Sequence, residues 1–206
     1  MIVTIVSILA LLFFFWKSDF NREPFSKLLK ILLLGIVITL QIEWLQEHIF
    51  YISGNNLFQA FISAALIEES IKYIALDVGV KHMKEFDEQI DGIVYAVCLS
   101  LGFAFAETII VFSSNDYFIR AITAVPMHAL LGAIMGYFLG QFKFNKKKKY
   151  FLKAIIYPVF FHGMYDFLIL EELKIVLVPF IIITWIYVIK KIEKLGRKSN
   201  EVDKKK

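Results

Sequence analysis

Two adjacent carboxylates, Glu68 and Glu69, stand inside the otherwise apolar residues 57–76, and Lys72 follows them by one helical turn. On insertion scales an ionisable residue at bilayer depth costs about 2.5–3.5 kcal/mol, so three such residues close together require a reason. On a helix Glu68 and Lys72 stand at i and i+4, with the acid on the N-terminal side, which favours an ion pair. A structural ion pair explains these two residues but leaves Glu69 unpaired, and an unpaired buried carboxylate suggests a function.

Three further apolar segments carry polar side chains at a similar distance along the helix, given the rise of about 1.5 Å per residue. They are Glu107, His128 and the pair His162 and Asp166. The last two share a helix face at i and i+4, so the carboxylate can fix the tautomer of the imidazole. Each residue also has a structural interpretation: His128 as a packing partner, Glu107 as an interhelical acceptor, and His162 with Asp166 as a structural pair.

Carboxylates and imidazoles that converge from four helices are the groups needed for hydrolysis. The Glu68/Glu69 pair would supply the general base for a water, and His162, held by Asp166, would stabilise the oxyanion. The same groups are also suitable ligands for a divalent metal such as Zn²⁺, with Glu69, Glu107, His128 and His162 as candidates. Composition does not separate these two hypotheses.

Two alternatives to catalysis remain open at this point. Intramembrane carboxylates and histidines also mark proton relays, so the chain could be a proton-coupled transporter. It could also be a catalytically silent scaffold that binds membrane peptides. Transport is disfavoured because no internal repeat is visible in the sequence.

The composition is that of a polytopic membrane protein: 206 residues, 58% hydrophobic, 16% aromatic, with mean hydropathy +0.65. We predict an all-α bundle with about seven transmembrane helices, at residues 1–16, 31–51, 57–76, 91–112, 117–140, 150–170 and 175–189. Residues 1–190 would form a single bundle with residues 57–170 as its core, and the first span is interpreted as a signal anchor. Tight turns are predicted at residues 54–56 and 113–116, and a charged, disordered tail from residue 190.

Basic residues predict the orientation of this bundle in the cell membrane. Nineteen of the 23 Lys and Arg residues fall in the tail and the loops on its side, whereas only Arg120 and Lys174 fall in the opposite loops. By the positive-inside rule the N-terminus lies outside, and the C-terminus with residues 191–206 is cytoplasmic. The basic residues are therefore topology signals for the lipid bilayer, and no nucleic-acid partner is expected.

Several remaining residues have structural interpretations. Glu43, Glu47 and His48 lie near the outer end of the second span and are interpreted as interfacial. The repeat of Gly132, Gly136 and Gly140 is typical of helices that approach closely. Cys98, the only cysteine, is expected to be a small packed residue and excludes an internal disulfide.

The motifs of established intramembrane proteases are largely missing. H-E-x-x-H, which marks the zinc site-2 type, is absent, and so is the G-x-S-G of the serine type. Tyr165-Asp166 matches half of the presenilin signature, but no G-x-G-D accompanies it. A glutamate-centred site is the hypothesis that remains.

Three motifs occur in order, one on each of three predicted helices: E-E-x-x-K from Glu68, F-x-x-x-E from Phe103 and H-x-x-x-D from His162. With the flanking segments FDEQIDGIVYAVCLSLGFAFAE and HALLGAIMGYFLG, they resemble the PrsW family of intramembrane proteases. That family is distantly related to the CAAX prenyl endopeptidases, which usually have a histidine where this sequence has Glu107.

The resemblance covers about residues 60–170 and implies site-1 cleavage of a membrane-anchored anti-sigma factor, which begins an envelope stress response. It also suggests that the first glutamate of the pair activates water. Lys72 and Phe103 would be supporting residues, and Glu107 and His128 would position the water or a metal.

Overall fold

The computed structural model describes residues 1–19, 21–50, 55–110 and 116–203, and the elements in these ranges are helices. A single π-helical segment, Gln59–Leu66, joins two α-helices without a break. The α-helices are α1 (Ile2–Lys17), α2 (Phe25–Phe50), α3 (Asn56–Phe58), α4 (Ile67–Val80), α5 (Asp91–Ile110), α6 (Tyr117–Ile122), α7 (Ala124–Asn145), α8 (Lys148–Leu170) and α9 (Lys174–Asp203). The predicted all-α bundle is therefore confirmed.

Five helical stretches in the described part of the chain are long and apolar enough to span a bilayer: those around α2, α5, α6–α7, α8 and α9. Helix α1 is apolar but shorter, and the continuous helix from α3 through α4 carries the ionisable residues. Large exposed apolar side chains such as Leu33, Ile156 and Ile183 lie on the outer helices α2, α8 and α9. Such surfaces suit contact with lipid, so the chain is a multi-pass membrane protein.

Two boundaries differ from the sequence prediction by six residues or more. Helix α2 begins at Phe25, six residues before the predicted start, because the Pro24 carbonyl accepts from the amides of Lys27 and Leu28 and so forms the first turn. The prediction of disorder from residue 190 is wrong as far as Asp203, where α9 ends. Extending an existing helix avoids the cost of nucleation, and residues 190–194 are mostly good helix formers. Of the turns predicted at residues 54–56 and 113–116, residues 54 and 113–115 lie outside the described residues. Asn55 caps α3 by accepting from the Leu57 amide, and Asn56 is already the first residue of that helix.

Helices α5 and α7 form the centre of the bundle and are buried along most of their length. The predicted close approach at the glycine repeat is confirmed: a Cβ added at Gly136 would lie 2.0 Å from the Gly92 carbonyl oxygen. At Gly132 it would lie 2.8 Å from the Ala96 carbonyl oxygen. The two backbones are thus nearly in contact, which fixes Glu107 on α5 relative to His128 on α7.

The chain changes its helical geometry at two places beside the polar residues. The π-helical segment ends immediately before α4, which carries Glu68 and Glu69. Between α6 and α7, Thr123 departs from helical geometry with φ −122° and ψ −71°, so the predicted span 117–140 is two helices. Interruptions of this kind often occur at functional sites.

Candidate active site

Lys72 is the centre of the polar network and is fully buried. Its Nζ donates to Oε2 of Glu68 at 2.9 Å and to Oε1 of Glu69 at 3.0 Å. The prediction that only Glu68 pairs with Lys72 is therefore wrong. The reason is helical geometry, since residues three and four positions apart both lie on one face and a single lysine reaches both.

His162 is held between two carboxylates from different helices. Its Nδ1 lies 2.9 Å from Oε1 of Glu69, and its Nε2 lies 3.3 Å from Oδ2 of Asp166. The predicted i, i+4 contact between His162 and Asp166 is thus present in the structure. Since both ring nitrogens face acceptors, the ring can donate to both carboxylates only as an imidazolium. The arrangement fixes the orientation of the ring.

Glu107, on α5, and His128, on α7, form a second part of the network. Oε2 of Glu107 lies 3.1 Å from Nε2 of His128 and also accepts from the guanidinium of Arg120. Nδ1 of His128 lies 3.4 Å from Nζ of Lys72. Because an ammonium only donates, Nδ1 must accept, and Nε2 then carries the hydrogen that is donated to Glu107.

Phe103 packs against both parts of this network. Its ring lies under the Lys72 ammonium, 3.7 Å from ring centre to Nζ, and meets the His128 ring edge-on at 5.3 Å. The His128 and His162 rings are themselves perpendicular, with centres 5.4 Å apart. The predicted site residues therefore form one connected network rather than separate structural pairs.

A cavity of about 1080 Å³ borders the network. Glu68, Glu107, His128, His162 and Asp166 line it. Glu69 does not line the cavity; it is fully buried behind Glu68, and its Oε2 has no hydrogen-bond partner. The two adjacent glutamates thus have different environments, one at the cavity wall and one inside the protein.

Two residues of the network were missed in the sequence. Gln46 on α2 donates to Oε1 of Glu68 at 2.9 Å, and Arg120 on α6 holds Glu107 and lies 3.2 Å from Thr108. The sequence alone suggests that Arg120 is a topology signal in an outer loop. A different signal was present, since a single arginine four residues before a long apolar helix can turn inward to meet a carboxylate. Gln46 gave no comparable signal.

The three residues interpreted from the sequence as interfacial differ in their position relative to the cavity. Glu43 and Glu47 line the cavity. His48 is exposed and contacts the Trp44 carbonyl within its own helix. The wide mouth of the cavity thus includes the end of α2, which supplies two further carboxylates.

The model of the family described as PrsW family intramembrane metalloprotease matches residues 23–190, which include the whole network. The chain belongs to the PrsW family. No solved structure gives a significant match to the chain.

Curated PrsW relatives cover most of the chain. It is 33% identical to Protease PrsW of Bacillus subtilis (strain 168), over 88% of each protein. It is 37% identical to that of Oceanobacillus iheyensis, over 86% of this chain and 87% of the relative. It is 38% identical to that of Geobacillus kaustophilus, over 78% of this chain and 74% of the relative. The chain is therefore a membrane protease of the PrsW type.

The metalloprotease description of the PrsW family raises the question of which residues suit a metal. Among the described residues near the cavity, Glu68, Glu69 and His162 each offer a ligand atom, and these atoms lie within 4.8 Å of one another. The predicted ligands Glu107 and His128 are not part of this group. Carboxylate and imidazole are suitable donors, and the unpartnered Oε2 of Glu69 is a free ligand atom, so the residues fit a divalent ion.

Proposed function

We propose that this protein makes the first cut in a membrane-anchored, single-pass protein, at a peptide bond in or beside the outer leaflet of the bilayer. The substrate class suggested by the resemblance to the PrsW family is an anti-sigma factor, whose cleavage would release a sigma factor in an envelope stress response. The observation that carries the proposal is the cavity wall formed by Glu68 and His162 within a membrane bundle. A peptide bond entering this cavity would meet a carboxylate and an imidazole together.

Glu68 is the residue we assign as the general base. It lines the cavity, whereas Glu69 does not, so a water in the cavity can reach only the first glutamate of the pair. Gln46 and Lys72 each donate to one of its oxygens, which orients the carboxylate. A carboxylate fixed in this way can take the proton from an attacking water and return it to the leaving amine.

His162 is assigned to the oxyanion that forms on the carbonyl oxygen. Its Nε2–H, whose contact with Asp166 is the longer of the two at 3.3 Å, would be shared with this oxyanion. Glu69 and Asp166 hold the ring on its two sides, so it cannot turn away when the substrate changes shape. A hydrogen-bond donor that is already in position stabilises the developing charge without reorganisation of the site during the reaction. This effect is strongest in a site shielded from water. Glu69 is thus a positioning residue in this mechanism.

Glu107, His128 and Arg120 form the opposite side of the site. The guanidinium compensates the Glu107 carboxylate, and that carboxylate in turn orients the His128 ring at the cavity wall. His128 also accepts a hydrogen bond from Lys72, and this contact couples the Glu107 side of the site to the glutamate pair. We infer that these residues position the substrate and the water.

Glu68, Glu69 and His162 are the side chains that would hold the metal indicated by the family description. A divalent ion there would polarise the scissile carbonyl and lower the pKa of a bound water. With the ion bound, His162 would act as a ligand whose ring is oriented by Asp166, and Glu68 would remain the carboxylate nearest to the substrate.

The orientation in the membrane follows from charge. The cavity lining includes Glu47 near the end of α2, Asp116 before α6, and Leu170 at the end of α8. These positions lie at the end of the bundle opposite the lysine-rich connection between α7 and α8. By the positive-inside rule that connection is cytoplasmic, the N-terminus is outside, and the cavity faces the outer leaflet.

Co-expression with tagged single-pass substrates, anti-sigma factors among them, tests the proposal. The native chain should release a fragment, and Glu68→Gln should reduce its formation at least about 10³-fold, because the amide keeps the shape but cannot accept the proton. Asp77→Asn on the same helix α4, directly after the buried Leu76, is the matched control and should cleave normally. A fragment formed equally by Glu68→Gln contradicts the assignment of the base, and uptake of a solute without any fragment indicates a transporter.

A further inference from the structure

A second group of carboxylates lies far from the cavity, at the other end of α5. Asp19 and Glu23 belong to the connection between α1 and α2, Glu88 precedes α5, and Asp91 is its first residue. We call these four residues the acidic cluster. Asp91 and Glu107 are both on α5, so a rise of about 1.5 Å per residue separates the cluster from the catalytic carboxylate by about 24 Å.

Three of these carboxylates are almost completely removed from solvent. Asp19, Glu23 and Asp91 are 3%, 2% and 0% exposed. Carboxylate oxygens of Asp19, Glu88 and Asp91 lie within 4.8 Å of one another. Like charges this close repel, and burying an isolated carboxylate is costly, so the arrangement requires compensation.

The hydrogen bonds of the cluster come from neutral donors. Asp19 accepts from the amides of Asn21 at 3.2 Å and Glu23 at 3.3 Å, and Oδ2 of Asp91 accepts from the Glu88 amide at 2.6 Å. The Tyr95 hydroxyl donates to Oε2 of Glu23 at 2.5 Å. These bonds orient the carboxylates but bring no positive charge.

Two buried oxygens remain without any partner: Oε1 of Glu23 and Oδ1 of Asp91. A buried acceptor normally has a donor, so these two oxygens are unusual whether or not other carboxylates lie nearby. Each belongs to a side chain whose other oxygen already accepts a hydrogen bond. Unpartnered carboxylate oxygens on two chain segments that meet around Asp19 are what a cation requires.

No ion pair in the described part of the chain involves Asp19, Glu23 or Asp91, in contrast to the glutamates around Lys72. The nearby basic side chains have other contacts: Lys27 pairs with Glu85 at 2.9 Å, and the Lys143 ammonium lies over the Phe86 ring at 3.8 Å. Arg22 stacks on the Trp16 ring. The positive end of α5 offsets only about half a charge.

The cost of this arrangement is visible at Glu23. Burial, together with the charges of Asp19, Asp87 and Glu85, raises the pKa of Glu23 to about 7, although the Tyr95 hydrogen bond opposes the shift. A bound cation would remove this cost.

We propose that Asp19, Glu88 and Asp91, with Glu23 beside them, bind a divalent cation through oxygen ligands, and that the cation is Ca²⁺ or Mg²⁺. Carboxylates without any histidine or cysteine suit these hard cations rather than a transition metal. The ion would connect the loop between α1 and α2 to the first residue of α5, the helix that carries Phe103 and Glu107. The site does not depend on the proposed proteolysis.

Terbium luminescence in the purified full-length protein tests this site directly. Tb³⁺ takes oxygen ligands as Ca²⁺ does, and aromatic rings excite it at short range: the Trp16 indole donates to the Glu23 carbonyl at 3.1 Å, and Tyr95 bonds the Glu23 side chain. We expect a saturable signal that is displaced by Ca²⁺ or Mg²⁺, and the ion that displaces at the lower concentration is the ligand.

Matched variants locate the signal. Asp91→Asn and Asp19→Asn should each weaken the binding of Tb³⁺ at least about tenfold. Glu172→Gln changes an exposed acid after α8, remote from the cluster, and should bind normally. Glu68→Gln should also bind normally, so a failure here would not affect the protease proposal. Equal affinity in folded Asp91→Asn and Asp19→Asn would overturn the assignment.

If these variants do not fold, the melting temperature of the native chain tests the cation site instead. With the cation bound, unfolding of the native chain in detergent should shift upward by about 5 °C in saturating Ca²⁺ or Mg²⁺, compared with a chelator. If protons rather than a cation compensate the cluster, neither ion will change the melting temperature and Tb³⁺ will not saturate. That result would refute the proposal.

Discussion

The ammonium nitrogen of Lys72 lies 3.7 Å from the centre of the Phe103 ring, and both side chains are fully buried. This contact joins E-E-x-x-K on α4 to F-x-x-x-E on α5. A desolvated cation on an aromatic face is stabilised by about 2 kcal/mol or more, so the ring compensates part of the cost of burying the lysine. Phe103 therefore belongs to the charge network, although it has no polar atom of its own.

Phe103→Leu should reduce turnover about tenfold, because Lys72 loses the ring that keeps it between Glu68 and Glu69. Phe86→Leu is the matched control: Phe86 is also buried under a lysine, with Lys143 at 3.8 Å, but it lies far from the cavity. Both variants should lose stability by a similar amount, measured as melting temperature in detergent. Equal turnover per folded molecule in the two variants would contradict a role for Phe103 in the site.

Arg120→Lys should retain part of the activity of the native chain, whereas Arg120→Ala should reduce turnover by about 10–100-fold. The guanidinium contacts both Glu107 and Thr108, and a lysine can keep the charge but not both contacts. The measurement is a comparison of kcat and KM on one verified substrate. Because Arg120 acts through Glu107, adding Arg120→Ala to the variant Glu107→Gln should reduce turnover little further. If the two losses of turnover are additive, the two residues are not coupled.

Gly136→Ala should destabilise the bundle strongly, by more than the 1–3 kcal/mol usual for an overpacked core, because its Cβ would lie 2.0 Å from the Gly92 carbonyl oxygen. Gly79→Ala is the control, since the nearest atoms there are side-chain ends of Leu34 and Ile31 at 3.1 and 3.2 Å, which can shift. Its effect should be small or stabilising, because alanine favours helix over glycine. Unfolding in detergent would measure both, and similar melting temperatures would contradict the backbone contact.

The sequence was sufficient for the fold class and for most of the network. Apolar runs predicted the helices, and the expense of ionisable groups in lipid pointed to Glu68, Glu107 and His162 before any contact was known. The glycine repeat predicted the α5–α7 packing because close approach has a simple spacing rule. These inferences depend on local sequence or on one-dimensional periodicity.

Contacts between distant segments could not be obtained in the same way. Gln46 meets Glu68 across 22 positions, and no periodicity within α2 marks it as a site residue. The sharing of Lys72 by two glutamates depends on rotamers, and helical spacing alone allowed either one pair or two. The turn between α6 and α7 at Thr123 lies within an apolar run that hydropathy treats as continuous, so the inward position of Arg120 was not anticipated.

Metal removal should abolish cleavage. A membrane-permeant chelator such as 1,10-phenanthroline should inactivate the enzyme, and added Zn²⁺ should restore it, because Glu68, Glu69 and His162 provide a suitable ligand group. The isomer 1,7-phenanthroline does not chelate and is the control. Elemental analysis should find less of the metal in Glu69→Gln. Full activity in protein shown to be metal-free would contradict this prediction and assign water activation to Glu68 alone.

His162→Ala should reduce turnover by at least about 10²–10³-fold, the usual effect of losing one oxyanion donor, because the variant also loses one of the three candidate metal ligands. KM should change much less, since the interaction strengthens only in the transition state. Asp166→Asn keeps the side-chain shape beside Nε2, 3.3 Å away, but removes the charge, so its loss should be smaller. Both variants should insert into the membrane, because each removes an ionisable group from the bilayer. If His162→Ala cleaves a verified substrate at the native rate, the role given to this ring is wrong, whatever motifs surround it.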